Sequence, residues 1–181
     1  PTLISFAIAP VQSGEVLTPE FKSAGDPVYL FLCDGTAADQ RAVWERFHAL
    51  CCAGKVRAAW AVENSMAEGV MKMSFGNRVG FRSEGAGEIW YSDALPGAII
   101  AELSEPLPQG TALRVTTADG AVTLGEDTAS IDELLALNEG VLESVYPTRT
   151  ADSGPVETLT YRTTERKAPA VAVARPRVLI P

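Results

Sequence analysis

The order of residue patterns predicts an α+β fold, a mixed β-sheet flanked by helices, and three observations carry that prediction. Apolar runs of strand length open the chain, amphipathic helix-period segments alternate with them, and the second half is mostly β before a last helix. The two strand-to-helix steps near the start leave an α/β arrangement as the alternative. At 181 residues and 46% hydrophobic content, the chain has enough apolar surface for one substantial core.

The first run, "TLISFAIA" (Thr2 to Ala9), is a strand buried on both faces if it is a strand at all. Thr18 followed by Pro19 suits the N-cap and first position of one short helical turn. "PVYLFLC" (Pro27 to Cys33) is rich in β-formers and bounded by turn residues, so it reads as a second buried strand. From Ala37 the period changes. Val43, Trp44, Phe47, Leu50 and Cys51 form the buried stripe of an amphipathic helix stopped by Gly54.

"VRAAWAV" (Val56 to Val62) is a third strand, and Asn64 or Ser65 caps a helix over Met66, Val70 and Met73 that ends near Gly76 and Asn77. "EIWYS" and "GAIIAEL" make two short strands around a Pro96-Gly97 turn. "ALRVTTADGAVTLG" reads as a β-hairpin with Asp119-Gly120 at its tip, a pair suited to a type I′ turn. "SIDE" (Ser130 to Glu133) is a capping box that opens the last helix. Ile131, Leu134, Leu135, Leu142 and Val145 are its expected buried stripe, and Pro147 closes it. These elements define an expected domain over 1–147. Residues 148–181 read as a polar linker leading into "RVLI", the first strand of a further domain, so the chain is expected to be a piece of a longer protein.

Fifteen Lys and Arg against 23 Asp and Glu leave a net charge of −8. A surface of that sign repels a phosphate backbone, so no nucleic-acid partner is expected. No apolar run is long enough to span a bilayer and nothing resembles a signal peptide, so no membrane partner is expected either. Cys33, Cys51 and Cys52 are odd in number and form no CxxC pair, which points to buried small hydrophobes in a reducing, cytoplasmic setting.

His48 is the only histidine, and a partly buried position on the first long helix is expected for it. No nucleophile-base pair can be assembled, so no catalytic residue is assigned. Asp26, Asp34, Asp39, Glu63 and Glu68 show no ligand spacing, so no metal site is assigned; Glu63 stands apart because it lies in the strand-to-helix turn "VENSM". The amides of Asn64, Ser65 and Met66 open a helix N-terminus, where an anion would be stabilised. Ordinary helix capping by Asn64 or Ser65 is the commoner use of such residues, and Glu63 would repel an anion.

Several stretches together resemble phosphoribosylformylglycinamidine synthase, in particular its second AIR-synthase-like C-terminal domain, which precedes a glutaminase domain. The resemblance runs through "PTLISFAIAPVQSGEVLTPEFKSAGDPVYLF", "KMSFGN", "ALNEGVLESVYPTRT" and "RPRVLIP", in order along nearly the whole chain. It implies an AIR-synthase C-terminal-domain-like fold within a ligase that converts formylglycinamide ribonucleotide to its amidine. That enzyme uses ATP, magnesium and ammonia from glutamine. It further implies a small-molecule substrate and, as partners, the neighbouring AIR-synthase-like and glutaminase domains of the same chain. Relatives carry a histidine and two glycines around this turn; here Trp60 takes the histidine's place and Asn64-Ser65 the glycines', with Glu63 the one carboxylate at hand. The resemblance therefore implies a degenerate ligand-binding turn at Trp60, Glu63, Asn64 and Ser65, a scaffold role, no tightly bound ATP or magnesium, and some self-association of the isolated piece.

Overall fold

The computed structural model describes residues 4, 6, 8–84, 90–91, 95, 97–149, 154 and 158–160. The chain divides into two units, Pro1–Val145 and Tyr146–Pro181, and every element below lies in the first. Its elements are β1 (Pro27–Phe31), α1 (Ala37–Cys52), β2 (Val56–Ala61), α2 (Met66–Phe75), β3 (Gly80–Ser83), β4 (Ile99–Leu103), β5 (Thr111–Thr117), β6 (Ala121–Leu124), β7 (Asp127–Ser130) and α3 (Ile131–Gly140). The strands form one mixed sheet in the order β2-β4-β1-β5-β3-β6-β7, all neighbours antiparallel except β3 and β6. A mixed sheet with helices packed on it is the α+β architecture expected.

Alternation along the strands sends apolar side chains to both faces. On one face Val28, Leu30, Ala58, Ile100, Phe81, Val122 and Leu124 meet Met66, Val70 and Met73 of α2 and Ile131 of α3. Each of those helix side chains is almost wholly buried, worth roughly 1.5–3 kcal/mol apiece. On the other face Tyr29, Phe31, Val56, Ala101 and Leu103 pack against Val43, Phe47, Leu50 and Cys51 of α1. Trp44, expected in that stripe, is 47% exposed and instead donates its indole N–H to the Gly97 carbonyl at 2.9 Å.

The caps are as local chemistry dictates. Thr36 Oγ1 accepts from Asp39 N, Ser65 Oγ from Glu68 N, and Ser130 and Glu133 make the reciprocal capping box.

The hairpin expected over Ala112 to Gly125 does not form. Both of its strands are present, but β3 lies between them, antiparallel to β5 and parallel to β6. The loop at Asp119-Gly120 arches over Gly80, where a Cβ would come within 2.4 Å of Thr117 Oγ1, 2.5 Å of the Ala121 carbonyl and 2.7 Å of Asp119 Oδ1. Only a glycine lets β3 enter beneath that arch. The true hairpin is β6-β7, closed by Gly125 (φ +66) and Glu126. Its second strand, "DTAS", carries no β-rich pattern and is paired because β6 offers it an open edge.

Other expectations are corrected. Ile4, Phe6 and Ile8, the apolar side chains described from "TLISFAIA", are exposed and outside any strand; Thr2, Leu3, Ser5 and Ala7 lie outside the described residues. A strand-length apolar run forms a strand only where a sheet edge pairs with it. The 3-10 turn in this region is Ser13–Glu15 rather than one begun by Thr18. Of "EIWYS", Trp90 and Tyr91 form a helical turn and the other residues lie outside the described set. The last helix stops at Gly140, so Leu142 and Val145 are exposed rather than part of a buried stripe. His48 is exposed, as is Cys52, while Cys33 and Cys51 are half-buried and all three thiols are free. The strand expected at "RVLI" lies outside the described residues. No helix among the described residues is long and apolar enough to cross a membrane.

Candidate functional site

Strand β2 ends at Ala61, its line continued by the Val62 N–H bond to the Ala98 carbonyl (2.9 Å), and the chain turns through Glu63 and Asn64 into α2. Ser65 sits in extended conformation as N-cap, its Oγ accepting the Glu68 N–H at 3.2 Å. The glycine missing from the turn is found one helical turn further on. At Gly69 a Cβ would lie 2.9 Å from Trp60 Cδ1 and 3.0 Å from Ile100 Cδ1, so its absence lets α2 rest directly on the indole.

The anion at this helix N-terminus is the chain's own. Glu68, in the first turn, accepts Asn64 Nδ2 and Lys72 Nζ, each at 2.6 Å. Those two hydrogen bonds, Lys72 first, hold its carboxyl below the usual glutamate range. Lys72 Nζ also stands 5.7 Å from the Trp60 ring centroid, a cation-π contact joining strand and helix. Trp60, Asn64 and Ser65 are thus brought together around Glu68, Gly69 and Lys72. Glu63 is exposed and stands outside this cluster. The Glu68 carboxylate lies in the first turn, at the positive end of the helix dipole, so a phosphate arriving here would meet negative charge. The residues at this turn do not fit ATP phosphates.

The other carboxylates are likewise engaged. Asp34 accepts from Thr36 N, which lowers its pKa, and Asp39 accepts from Asp34 N. Asp26 pairs with Arg57. Among the described residues no three His, Cys, Asp or Glu side chains converge on a metal position.

Beside the turn lies a groove of about 400 Å³ between α2, the β6-β7 hairpin and α3. Met71, Val122, Leu124 and Leu134 supply its apolar surface, and Ser65, Glu68, Tyr91 and Asp127 its polar atoms. The Tyr91 hydroxyl donates to Asp127 Oδ2 at 3.1 Å, and burial together with that carboxylate pushes its pKa up. The size suits a small molecule, and its two carboxylates favour a neutral or cationic one. The Ser65-Glu68 and Glu68-Lys72 spacings were legible signals of this cluster. Nothing local marks Tyr91 or Leu134, which the tertiary fold brings in.

No family model matches the chain, and no curated protein matches it. Solved structures do. PurLQS from Thermotoga maritima superposes with a TM-score of 0.55 over 86% of this chain and 32% of its own, at 12% identity. T. maritima PurL complexed with FGAR, and the same protein complexed with ATP, each give 0.54 at 10% identity over 86% of this chain. The chain thus spans about a third of the length of the structures it matches. At such identities the likeness is one of fold: the chain has the architecture of a portion of PurL.

Proposed function

We propose that this chain is a scaffold domain of a phosphoribosylformylglycinamidine synthase-like ligase, carrying a degenerate copy of a ligand-binding turn. It forms one wall of a cleft and catalyses nothing alone. The PurL-like fold supports the assignment, and the observation that carries the degenerate site is the Glu68 carboxylate seated at the N-terminus of α2. The working sites for ATP, magnesium and substrate then belong to neighbouring domains of the same chain, and the enzyme acts in the cytoplasm. Exposed Leu137, Val141, Leu142 and Val145 on α3 and the turn after it fit a face that packs on one of those neighbours.

The test is a thermal melt with and without magnesium-ADP. Ligand at 100 times its Kd adds about 2.7 kcal/mol, which for a domain of this size raises Tm by roughly 5–10 °C. No rise is expected at millimolar magnesium-ADP. A rise that Glu68→Ala or Ser65→Ala alters would overturn the degenerate-site reading. It would favour the second one, a nucleotide- or phosphate-binding module at the turn before α2.

A further inference from the structure

A carboxylate is buried on β4, next to the edge strand of this sheet, where packing alone would favour an apolar side chain. Glu102 on β4 is fully buried and pairs with Val28 on one side and Ala58 on the other. Its oxygens accept backbone N–H bonds from Lys22 (2.7 Å) and Ser23 (3.0 Å). Those residues belong to a strap, 21–26, that runs from α2 to the start of β1. Phe21 at its head is buried, stacks on Phe81, donates its N–H to the Met73 carbonyl at 2.8 Å and accepts Asn77 Nδ2 at 2.8 Å. Glu102 therefore ties β4 to the C-terminal end of α2.

A second carboxylate faces it. Asp26 lies beside the Glu102 carboxyl, and its Oδ2 is buried. Arg57 Nε is 3.2 Å from that oxygen, close enough for charge attraction. Its N–H is not aimed there, so among the described residues no donor reaches Oδ2. Arg57 Nη1 is turned towards Ser23 Oγ at 3.3 Å. Of the other charges at this end of the sheet, Lys22 Nζ is held by Thr18 and Glu20, and Lys55 pairs with Glu105.

Two ionised carboxylates beside one half-exposed guanidinium would leave an excess negative charge, costly because Glu102 itself is fully buried. A proton on Glu102, donated towards Asp26 Oδ2, removes that excess and supplies the missing donor while both backbone bonds persist. Burial, above all, and the Asp26 carboxylate push the Glu102 pKa up.

We infer that Glu102 carries a proton in the folded protein, donated towards Asp26, and that this proton fastens the strap 21–26 across β4. In the unfolded chain both carboxyls are ionised at neutral pH. The folded state then binds one proton more, and stability falls as pH rises. The folding equilibrium constant drops by up to about tenfold per pH unit until the proton leaves.

Two measurements on the full chain test this. The first is urea denaturation from about pH 5 to about pH 8, where unpaired carboxyls are already ionised. The second is the protonated-carboxyl C=O stretch in the infrared at neutral pH. The wild type is expected to lose stability across that range and to show the band; Glu102→Gln abolishes both, and Asp26→Asn, which leaves Glu102 buried, weakens them. Stability that does not fall with pH, absence of the band, or a slope that survives in Glu102→Gln each overturns the inference. Should either variant fail to fold, the wild-type spectrum still decides.

Discussion

Gly80→Ala tests the topology at its least expected point. In the threaded sheet a Cβ at residue 80 would sit 2.5 Å from the Ala121 carbonyl oxygen, where ordinary contact begins near 3.4 Å. The arch over β3 must therefore open by about 0.9 Å, and it cannot yield through a side chain alone because the Ala121 atom is backbone. Overpacking of this kind costs about 1–3 kcal/mol, which lowers Tm by roughly 2–4 °C for each kcal/mol in a chain of this length. Urea denaturation and a thermal melt read the effect. Gly14→Ala, in open space, is the control and should stay within about 0.5 kcal/mol of wild type. Adding Thr117→Ala to Gly80→Ala removes one of the three close contacts and should recover only part of the loss. If β5 paired with β6 directly, Gly80 would not lie beneath the arch. A Gly80→Ala variant as stable as Gly14→Ala would thus refute the threading.

Three further outcomes are expected. Glu68, held low by Lys72 and Asn64, contributes stability that is present above the ordinary glutamate range and lost as pH falls through its depressed value; Glu68→Gln should flatten the acid limb of a stability-pH curve. Met73→Ala, at a fully buried position under the strap, should cost about 2–5 kcal/mol in denaturant titration. Cys52, exposed on α1, should react with a thiol reagent well before Cys33 and Cys51, whose pKa values burial raises, as mass spectrometry of the native chain would record.

What could be read from the sequence was what neighbours in sequence decide. The caps at Ser65 and Ser130, the period of α1 and the stop near Gly54 depend on residues three or four apart, and they fold as written except that Trp44 stands outside the α1 stripe. Partner choice among strands was hidden. "ALRVTTADGAVTLG" has the alternation of a hairpin, yet Phe81 sits between Thr116 and Val122 because a strand from earlier in the chain satisfies both edges. Ile4, Phe6 and Ile8 had the composition of a strand, and composition supplies no partner. At the site, the Ser65-Glu68-Lys72 ladder is local and was within reach, whereas Glu63 drew attention only by its place in the turn. The groove needs Tyr91, Asp127 and Leu134, which three separate segments deliver. Glu102 carried a faint signal, one acid inside the apolar run "GAIIAEL".

The arch over Gly80 also sets a problem in time. A hairpin closes in about 1–10 μs, so β5 and β6, joined by Asp119-Gly120, are poised to zip onto each other as soon as the chain is free to move. The native sheet forbids that ladder, because β3 must occupy the space between them. Productive folding then requires the fastest local pairing to be avoided or undone, a kinetic detour written into the connection order of three short strands. Stopped-flow refolding should show it as curvature in the folding limb at low denaturant, relieved when Asp119-Gly120 is replaced by a loop with no preference for a tight turn.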